Sequence, residues 1–100
     1  MRALVFTPEA FDDLRRAFHW YDARRAGLGA QLESAVEAAL LPVLHSPESF
    51  PLLEGRFRRV VVRRFPYHAY FTADDRQLTV LLVFHTAQDP AKVFGRLTSH

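Results

Sequence analysis

The chain has 100 residues and a formal net charge of +2, and its composition of 49% hydrophobic and 24% charged residues is typical of a soluble globular domain. It contains no cysteine, which excludes disulfide scaffolds, thiolate metal sites and cysteine nucleophiles. It has neither an apolar run of bilayer length nor the apolar stretch of a secretory signal, so we expect one cytoplasmic domain over residues 1–100.

The first predicted elements are a strand at Ala3–Phe6 and a helix that follows it. Thr7 can cap the helix, Pro8 suits its first position and Glu9 favours the positive end of the helix dipole. Side chains spaced by three, four and three residues predict one apolar helix face, formed by Phe11, Leu14, Phe18 and Tyr21. Charged residues, Asp13 among them, fill the rest of this helix.

A second helix is predicted to follow after a short turn. Gly27 and Gly29 are expected to end the first helix, so that the two helices form an antiparallel hairpin. The predicted buried side of the second helix comprises Leu28, Leu32, Val36, Ala39, Leu40, Val43 and Leu44. Pro42 is expected to kink or end the helix, and residues 45–55 are expected to form a loop.

Three strands are predicted beyond the loop, at Phe57–Phe65, Tyr67–Thr72 and Gln77–His85, because these stretches are rich in valine, leucine and aromatic residues. Their short connections make them an antiparallel meander. The last strand is apolar at successive positions, which indicates that both of its faces are covered. A short helix then starts at Asp89-Pro90 and runs to Leu97. The order predicts an α+β domain in which a helical hairpin packs on a four-stranded, mainly antiparallel sheet.

The charge divides unevenly along the chain. Residues 1–55 carry 5 arginines and 8 acids, whereas residues 56–100 carry 7 arginines, 1 lysine and 3 acids. Alternation along the first strand of the meander divides five arginines between its faces, with Arg56, Arg58 and Arg64 on one and Arg59 and Arg63 on the other. We predict that these five residues and Arg96 bind an acidic protein segment or phosphates. The alternative is an edge strand whose solvated charges discourage aggregation.

Histidines supply the candidate proton-transfer groups. His68 and His85 lie on predicted strands where they could approach each other, so either could act as a general base. The alternative for both is a packed, hydrogen-bonded histidine near the end of the sheet. The remaining histidines are His19, His45 and His100, and none of the five has metal-ligand spacing, so we expect neither a metal nor a cofactor.

Several short motifs occur in a fixed order along almost the whole chain. They include Pro8-Glu9-Ala10 and Asp13-Leu14, then Ser46-Pro47 and Gly55-x-x-Arg58-Arg59. The run Arg63-Arg64-Phe65-Pro66-Tyr67-His68-Ala69-Tyr70-Phe71 follows, and Val83-Phe84-His85 precedes Asp89-Pro90. This ordered set resembles the RelE/ParE superfamily of bacterial type II toxins, also called plasmid stabilisation proteins.

The resemblance implies a RelE/ParE-like fold and a toxin that is encoded beside an antitoxin, whose extended or helical segment wraps the toxin and blocks it. It also implies one of two activities. The RelE-like branch cleaves messenger RNA on the ribosome, whereas the ParE-like branch is not a nuclease and poisons DNA gyrase. We therefore expect a hetero-oligomer with a cognate antitoxin and no membrane partner.

The residues that the ribonuclease branch uses are largely replaced here. Arg59 matches a strand cation, but Val61 stands at the next inward-facing position and His68 opens the following strand. Gln88 stands where an arginine is expected, and Phe94 falls near an expected tyrosine. Glutamine cannot supply a cation and phenylalanine cannot transfer a proton, so two roles in attack by the 2′-hydroxyl are missing.

Two functions therefore remain open from the sequence. The replacements favour a ParE-like toxin that binds a protein target such as DNA gyrase and is neutralised by its antitoxin. The alternative is a RelE-like endoribonuclease, acting on messenger RNA with or without the ribosome, in which a rearranged site uses Arg59, His68 and His85.

Overall fold

A sheet with helices on both faces forms the framework of the chain, and the computed structural model describes residues 2–53 and 55–99 of it. The strands are β1 (Ala3–Phe6), β2 (Leu52–Leu53), β3 (Phe57–Val62), β4 (Tyr67–Ala73) and β5 (Gln77–His85). The helices are α1 (Pro8–Arg24), α2 (Leu28–His45) and α3 (Pro90–Thr98). No helix in these residues is both long and apolar enough to cross a membrane. His100 lies outside the described residues.

The predicted α+β class is confirmed, but the sheet has five strands rather than four, in the order β1-β5-β4-β3-β2. The additional strand, β2, lies within the stretch that was predicted as a loop, and it pairs antiparallel with β3. Its two residues are too few to show the alternation by which a strand is recognised in a sequence. β1 pairs parallel with β5, so the sheet is mixed at that edge and antiparallel elsewhere.

The predicted end of β3 is wrong. β3 ends at Val62 rather than at Phe65, so Arg63 and Arg64 lie in the turn to β4. Arg64 has a left-handed φ of 71°, which a strand does not accommodate, so the predicted division of these two arginines between strand faces does not apply. Of the two outcomes predicted for Pro42, an end of the helix is not observed, because α2 continues to His45 and the Pro42 carbonyl accepts the N–H of Ser46 at 3.1 Å.

The stripe that α1 buries also differs from the predicted one. Ala10, Asp13 and Ala17 are buried, whereas Phe11, predicted to lie on the buried face, is 52% exposed. Small alanine side chains let the helix lie close to the sheet, and Asp13 is buried together with cationic partners described below. Leu14 and Tyr21 of the predicted face do pack against the core, and Phe18 is partly buried, so the spacing located the right side of the helix but missed its centre.

Each face of the sheet has its own core. The helical hairpin covers one face, where the buried sheet residues are Val62, Ala69, Phe71, Leu78, Val80 and Val83. α3 covers the other face, where Val93 and Leu97 pack with Phe57, Tyr70, Leu81 and Leu82. Both faces of β5 are therefore covered, which confirms the prediction made from its continuous apolar run.

A β-bulge explains why this run does not alternate. Tyr70 pairs with Leu82 but Phe71 pairs with Val80, which leaves Leu81 as an additional residue in β5. As a result Leu81 and Leu82 both pack in the core under α3, although they are adjacent in the chain.

The helix starts are confirmed at both predicted capping positions. The Thr7 hydroxyl accepts the N–H of Ala10 at 3.1 Å, and the Asp89 carboxylate accepts that of Ala91 at 2.9 Å. The two helices of the hairpin approach each other closely at Gly29, in the first turn of α2. A Cβ atom added there would lie 2.7 Å from the ring of Phe18 on α1. The hairpin therefore requires a residue without a side chain at this position.

Candidate functional site

The three residues proposed for a rearranged nuclease site line one cavity. Arg59 on β3, His68 on β4 and His85 at the end of β5 border a space of about 200 Å³ that lies under the start of α3. We call it the α3 cavity. Gln88 and Phe94, at the two positions where the ribonuclease branch is expected to carry arginine and tyrosine, also line it. Val61 does not line this cavity, and its side chain is 58% exposed.

Electrostatics favour a neutral imidazole at His68. Burial is the main cause that lowers the pKa of His68 below its ordinary value of 6.5, and the positive charge of Arg59 lowers it further. A neutral imidazole can accept a proton, so His68 has the protonation state that a general base requires. Its ring lies 6.2 Å from that of Tyr70, measured between centroids.

His85 is held in one orientation. Its Nδ1 accepts the N–H of Ala87 at 3.0 Å, and its ring stands edge-on to Tyr67 with the centroids 5.3 Å apart. Because Nδ1 accepts, the imidazole proton of the neutral form is carried by Nε2. His85 is therefore a positioned hydrogen-bond donor as well as a packed residue.

Tyr70 and Thr86 are the hydroxyl-bearing residues of the cavity that the sequence did not identify as site residues. Tyr70 is buried, yet it also borders the α3 cavity. Among the lining side chains, all of which are described, Arg59 is the one that carries a formal charge. The cavity thus combines one cation with a neutral imidazole and lacks a second cation beside it.

A larger, more apolar groove lies between α2 and β3, with a volume of about 1150 Å³. We call it the α2 groove. Its apolar wall is formed by Ala35, Ala38, Ala39 and Pro42 of α2, Val60 and Val61 of β3, and Phe50 and Pro51 of the segment between them. Three of the predicted partner-binding residues, Arg59, Arg63 and Arg64, line it, and none of its lining residues, all of them described, is acidic. The groove therefore has the apolar wall and positive rim that suit an acidic amphipathic segment.

The other predicted partner-binding arginines make contacts within the chain. Arg58 donates to the carbonyl of Phe50 at 2.7 Å, and the guanidinium of Arg56 lies 5.2 Å from the ring centroid of Phe57. Arg96 pairs with Asp13 and also lies 4.9 Å from the ring centroid of Phe84. Arg58 and Arg96 thus hold neighbouring segments together, so the α2 groove depends on the remaining arginines for its charge.

Asp13 is a buried ionic centre that the sequence did not reveal. Its side chain is 2% exposed, and its two oxygens accept hydrogen bonds from Arg96 at 3.2 and 2.9 Å and from Arg16 at 2.9 Å. It also accepts the backbone N–H of Val83 at 3.0 Å. One carboxylate therefore joins α1, β5 and α3, and so fixes the helix that borders the α3 cavity. Spacing offered no signal for this, since Asp13 and Arg96 are 83 residues apart.

Within residues 2–53 and 55–99, no three histidine, aspartate or glutamate side chains come together in a way that could hold a metal ion. The polar side chains that line the α3 cavity are the guanidinium of Arg59, the imidazoles of His68 and His85, the hydroxyl groups of Tyr70 and Thr86 and the amide of Gln88.

Comparison with known proteins adds two findings. Residues 4–90 match the family described as "ParE toxin of type II toxin-antitoxin system, parDE". Among solved structures, the chain is similar to "Chromosomal ParDE TA system from P. aeruginosa", with a TM-score of 0.73 and 17% identity over 85% of this chain and 96% of that chain. At this identity the structural likeness shows a shared fold. No curated protein matches the sequence significantly.

Proposed function

Since this chain belongs to the ParE toxin family and is a toxin of the type II toxin–antitoxin class, we propose that it acts by binding a protein target rather than by cutting RNA. DNA gyrase is the target that the resemblance of the sequence implies. The observation that carries the proposal is the composition of the α3 cavity, in which Gln88 and Phe94 stand at the places of a cation and a proton donor.

Cleavage of RNA by its own 2′-hydroxyl needs a proton acceptor, a proton donor to the leaving group and positive charge around the crowded phosphate. His68 is suited to accept the proton, and Arg59 supplies one positive charge. The amide of Gln88 adds none, and the ring of Phe94 has no proton to give. Loss of even one such stabilising donor costs about 10²–10³ in rate in well-studied enzymes, so the cavity is poorly equipped for this reaction.

We further propose that a cognate antitoxin neutralises the toxin by occupying the α2 groove. The apolar wall of the groove fits the apolar face of a helix or an extended segment. Its positive rim, with Arg63 and Arg64 exposed in the turn after β3, attracts carboxylates on that segment. The resting form is then a hetero-oligomer of toxin and antitoxin.

Binding of the antitoxin to the α2 groove is tested by reversing the charge at the rim of the groove. We expect the double variant Arg63→Glu with Arg64→Glu to weaken antitoxin binding by at least about tenfold, because each like charge opposes the acidic segment. The matched control is Arg15→Glu with Arg25→Glu, which makes the same change in net charge on α1 and the turn after it and should leave the affinity within about twofold. Affinity for the antitoxin is measured by isothermal titration calorimetry. If the Arg63→Glu, Arg64→Glu variant binds the antitoxin as tightly as the unmodified protein does, the α2 groove is not the antitoxin-binding site.

The mode of action is tested with two assays on the unmodified toxin. Purified gyrase should lose supercoiling activity when the toxin is added and regain it when antitoxin is added. Primer extension on cellular messages after induction should show no new discrete ends. Discrete ends together with unaffected supercoiling would refute the protein-target proposal.

An endoribonuclease is the second candidate, because Arg59, His68 and His85 line one cavity, which Tyr70 also borders. In this reading His68 takes the 2′-hydroxyl proton and Arg59 stabilises the phosphate. It predicts that His68→Ala abolishes both message cleavage and growth arrest. Growth arrest that persists in His68→Ala would count against it.

A further inference from the structure

A third concavity lies between α1 and the ends of β4 and β5, with a volume of about 370 Å³, and it adjoins the α3 cavity, with which it shares His85 and Gln88. Aromatic residues from three elements border it, namely Trp20, Tyr21, Tyr67, Phe84 and His85, and we call it the aromatic cleft. It shares no lining residue with the α2 groove, both being lined entirely by described residues. An occupant of the α2 groove therefore need not cover the aromatic cleft.

Trp20, the single tryptophan of the chain, is exposed but held in place. Its side chain is 51% exposed, yet the Arg24 guanidinium lies 3.2 Å from its ring centroid and donates to the Trp20 carbonyl at 2.9 Å. The Tyr21 ring stands edge-on to it at 4.9 Å, and Tyr21 in turn contacts Phe65 at 5.1 Å, both measured between centroids. An aromatic side chain that is already ordered loses little conformational entropy when a partner covers it.

The mouth of the cleft is positively charged. The side chain of Arg16 is 71% exposed and lines the cleft, and Arg24 covers the adjoining indole. The one carboxylate among the lining residues, Asp13, is buried and already paired with Arg96 and Arg16. The cleft thus presents cations and an aromatic anchor, and its carboxylate is not available to repel an acidic group.

We propose that the aromatic cleft is the surface through which the toxin engages its protein target, at a site that presents a carboxylate beside an apolar side chain. This rests on the proposed function, namely that the target is a protein. Tryptophan, tyrosine and arginine are the residue types enriched at the energetic centres of protein interfaces, and here they surround one concavity. The carboxylate of the target pairs with Arg16, and its apolar neighbour packs on Trp20.

The Arg24 guanidinium covers one face of the Trp20 ring, so a partner packs on the other face. A protein is favoured over single-stranded nucleic acid because the α3 cavity is poorly equipped to cleave RNA. Stacking of a base on the open face of Trp20 is therefore one of the outcomes that the test distinguishes.

Truncation of Trp20 tests the proposal, and the chain offers a close control. Phe11 lies on the same helix, is 52% exposed and has the guanidinium of Arg15 5.9 Å from its ring centroid, but it lies outside the cleft. Trp20→Ala should raise the toxin concentration for half-inhibition of gyrase supercoiling by about 30-fold, as loss of an interface anchor does. Phe11→Ala should change it by no more than about twofold, and both variants should keep antitoxin affinity within about twofold. Thermal unfolding of each variant establishes that it is folded.

Three results would overturn the assignment. Trp20→Ala that inhibits gyrase and arrests growth as strongly as Phe11→Ala would show that the cleft does not bind the target. If Trp20→Ala lost as much affinity for the antitoxin as potency against gyrase, the aromatic cleft would be assigned to the antitoxin instead. Quenching of the Trp20 fluorescence by a short oligouridylate at micromolar concentration would assign it to RNA.

The proposed function fails in a different way. If the unmodified toxin does not inhibit gyrase, the choice of gyrase as target is refuted. Growth arrest after induction does not depend on which protein is the target, so a loss of arrest in Trp20→Ala but not in Phe11→Ala would still support the aromatic cleft as the target surface.

Discussion

Replacement of Arg96 by methionine should destabilise the fold substantially, because it removes the main cationic partner of the buried Asp13 carboxylate. Asp13 is 2% exposed and receives two of its hydrogen bonds from Arg96, whose own side chain is 25% exposed. Breaking a buried ion pair by removing one partner costs about 3–5 kcal/mol. Arg16 and the N–H of Val83 remain bonded to Asp13, so we expect the lower end of that range, about 3 kcal/mol.

The assay is urea unfolding of the isolated toxin, followed by circular dichroism. Arg16→Met is the matched control, because Arg16 bonds to the same carboxylate but is 71% exposed, and exposed ion pairs are worth about 1 kcal/mol or less. A double-mutant cycle with Asp13→Ala should give a coupling energy of about 1–3 kcal/mol between Asp13 and Arg96. The midpoint of thermal unfolding of Arg96→Met should lie at least about 12 °C below that of the unmodified protein.

An equal loss of unfolding free energy in Arg96→Met and Arg16→Met would contradict this prediction. That result would mean that water reaches Asp13 and compensates for the lost partner, so that the ionic centre would not anchor α3. A different conclusion follows if Arg96→Met loses much unfolding free energy while the coupling energy between Asp13 and Arg96 is small. This outcome would assign the loss to the packing of Arg96 on Phe84 rather than to its charge.

Two further predictions concern the hairpin and the α3 cavity. Gly29→Ala should destabilise the chain by about 1–3 kcal/mol in urea unfolding, because its Cβ would lie 2.7 Å from the ring of Phe18. Gly95→Ala, within α3 and with nothing within 4 Å of the added Cβ, should instead stabilise by about 0.5–1 kcal/mol, and the opposite order would contradict the described packing. NMR titration of His68 should give a pKa below 6.5, which Arg59→Gln raises only in part, because burial is the larger cause. Since the unfolded chain binds this proton more readily, His68 should lower the stability of the fold as the pH falls below 6.5, and a rise in stability there would contradict the assignment.

The helices and four of the five strands could be predicted because their signals are local. Thr7-Pro8 and Asp89-Pro90 combine a capping side chain with a proline at the first helical position, and both are observed to start helices. β5 was predicted with its observed limits, Gln77–His85, because it contains an apolar run of strand length, Val80 to Phe84 without interruption. β2 could not be predicted in this way, since its two residues become a strand only by pairing with β3.

The arginines show where local reasoning ends. Composition placed an excess of positive charge in residues 56–100, but it could not say which guanidinium groups face outward. Arg58 and Arg96 bind a carbonyl and a carboxylate within the chain, whereas Arg63 and Arg64 are left exposed in a turn beside the α2 groove. These partners are 8 and 83 residues away along the chain, and the longer separation is beyond any helical or strand period.

The sequence by itself determined the class of fold and the chemistry that is missing, because element order, caps and the identity of Gln88 and Phe94 are properties of the chain read locally. Only the tertiary structure decided that these two residues share a cavity with Arg59 and His68, and that Asp13 is an internal anchor. The physical reason is that burial and pairing depend on distances between segments far apart in sequence. Such distances arise only when the sheet, its bulge and the two helical layers are assembled.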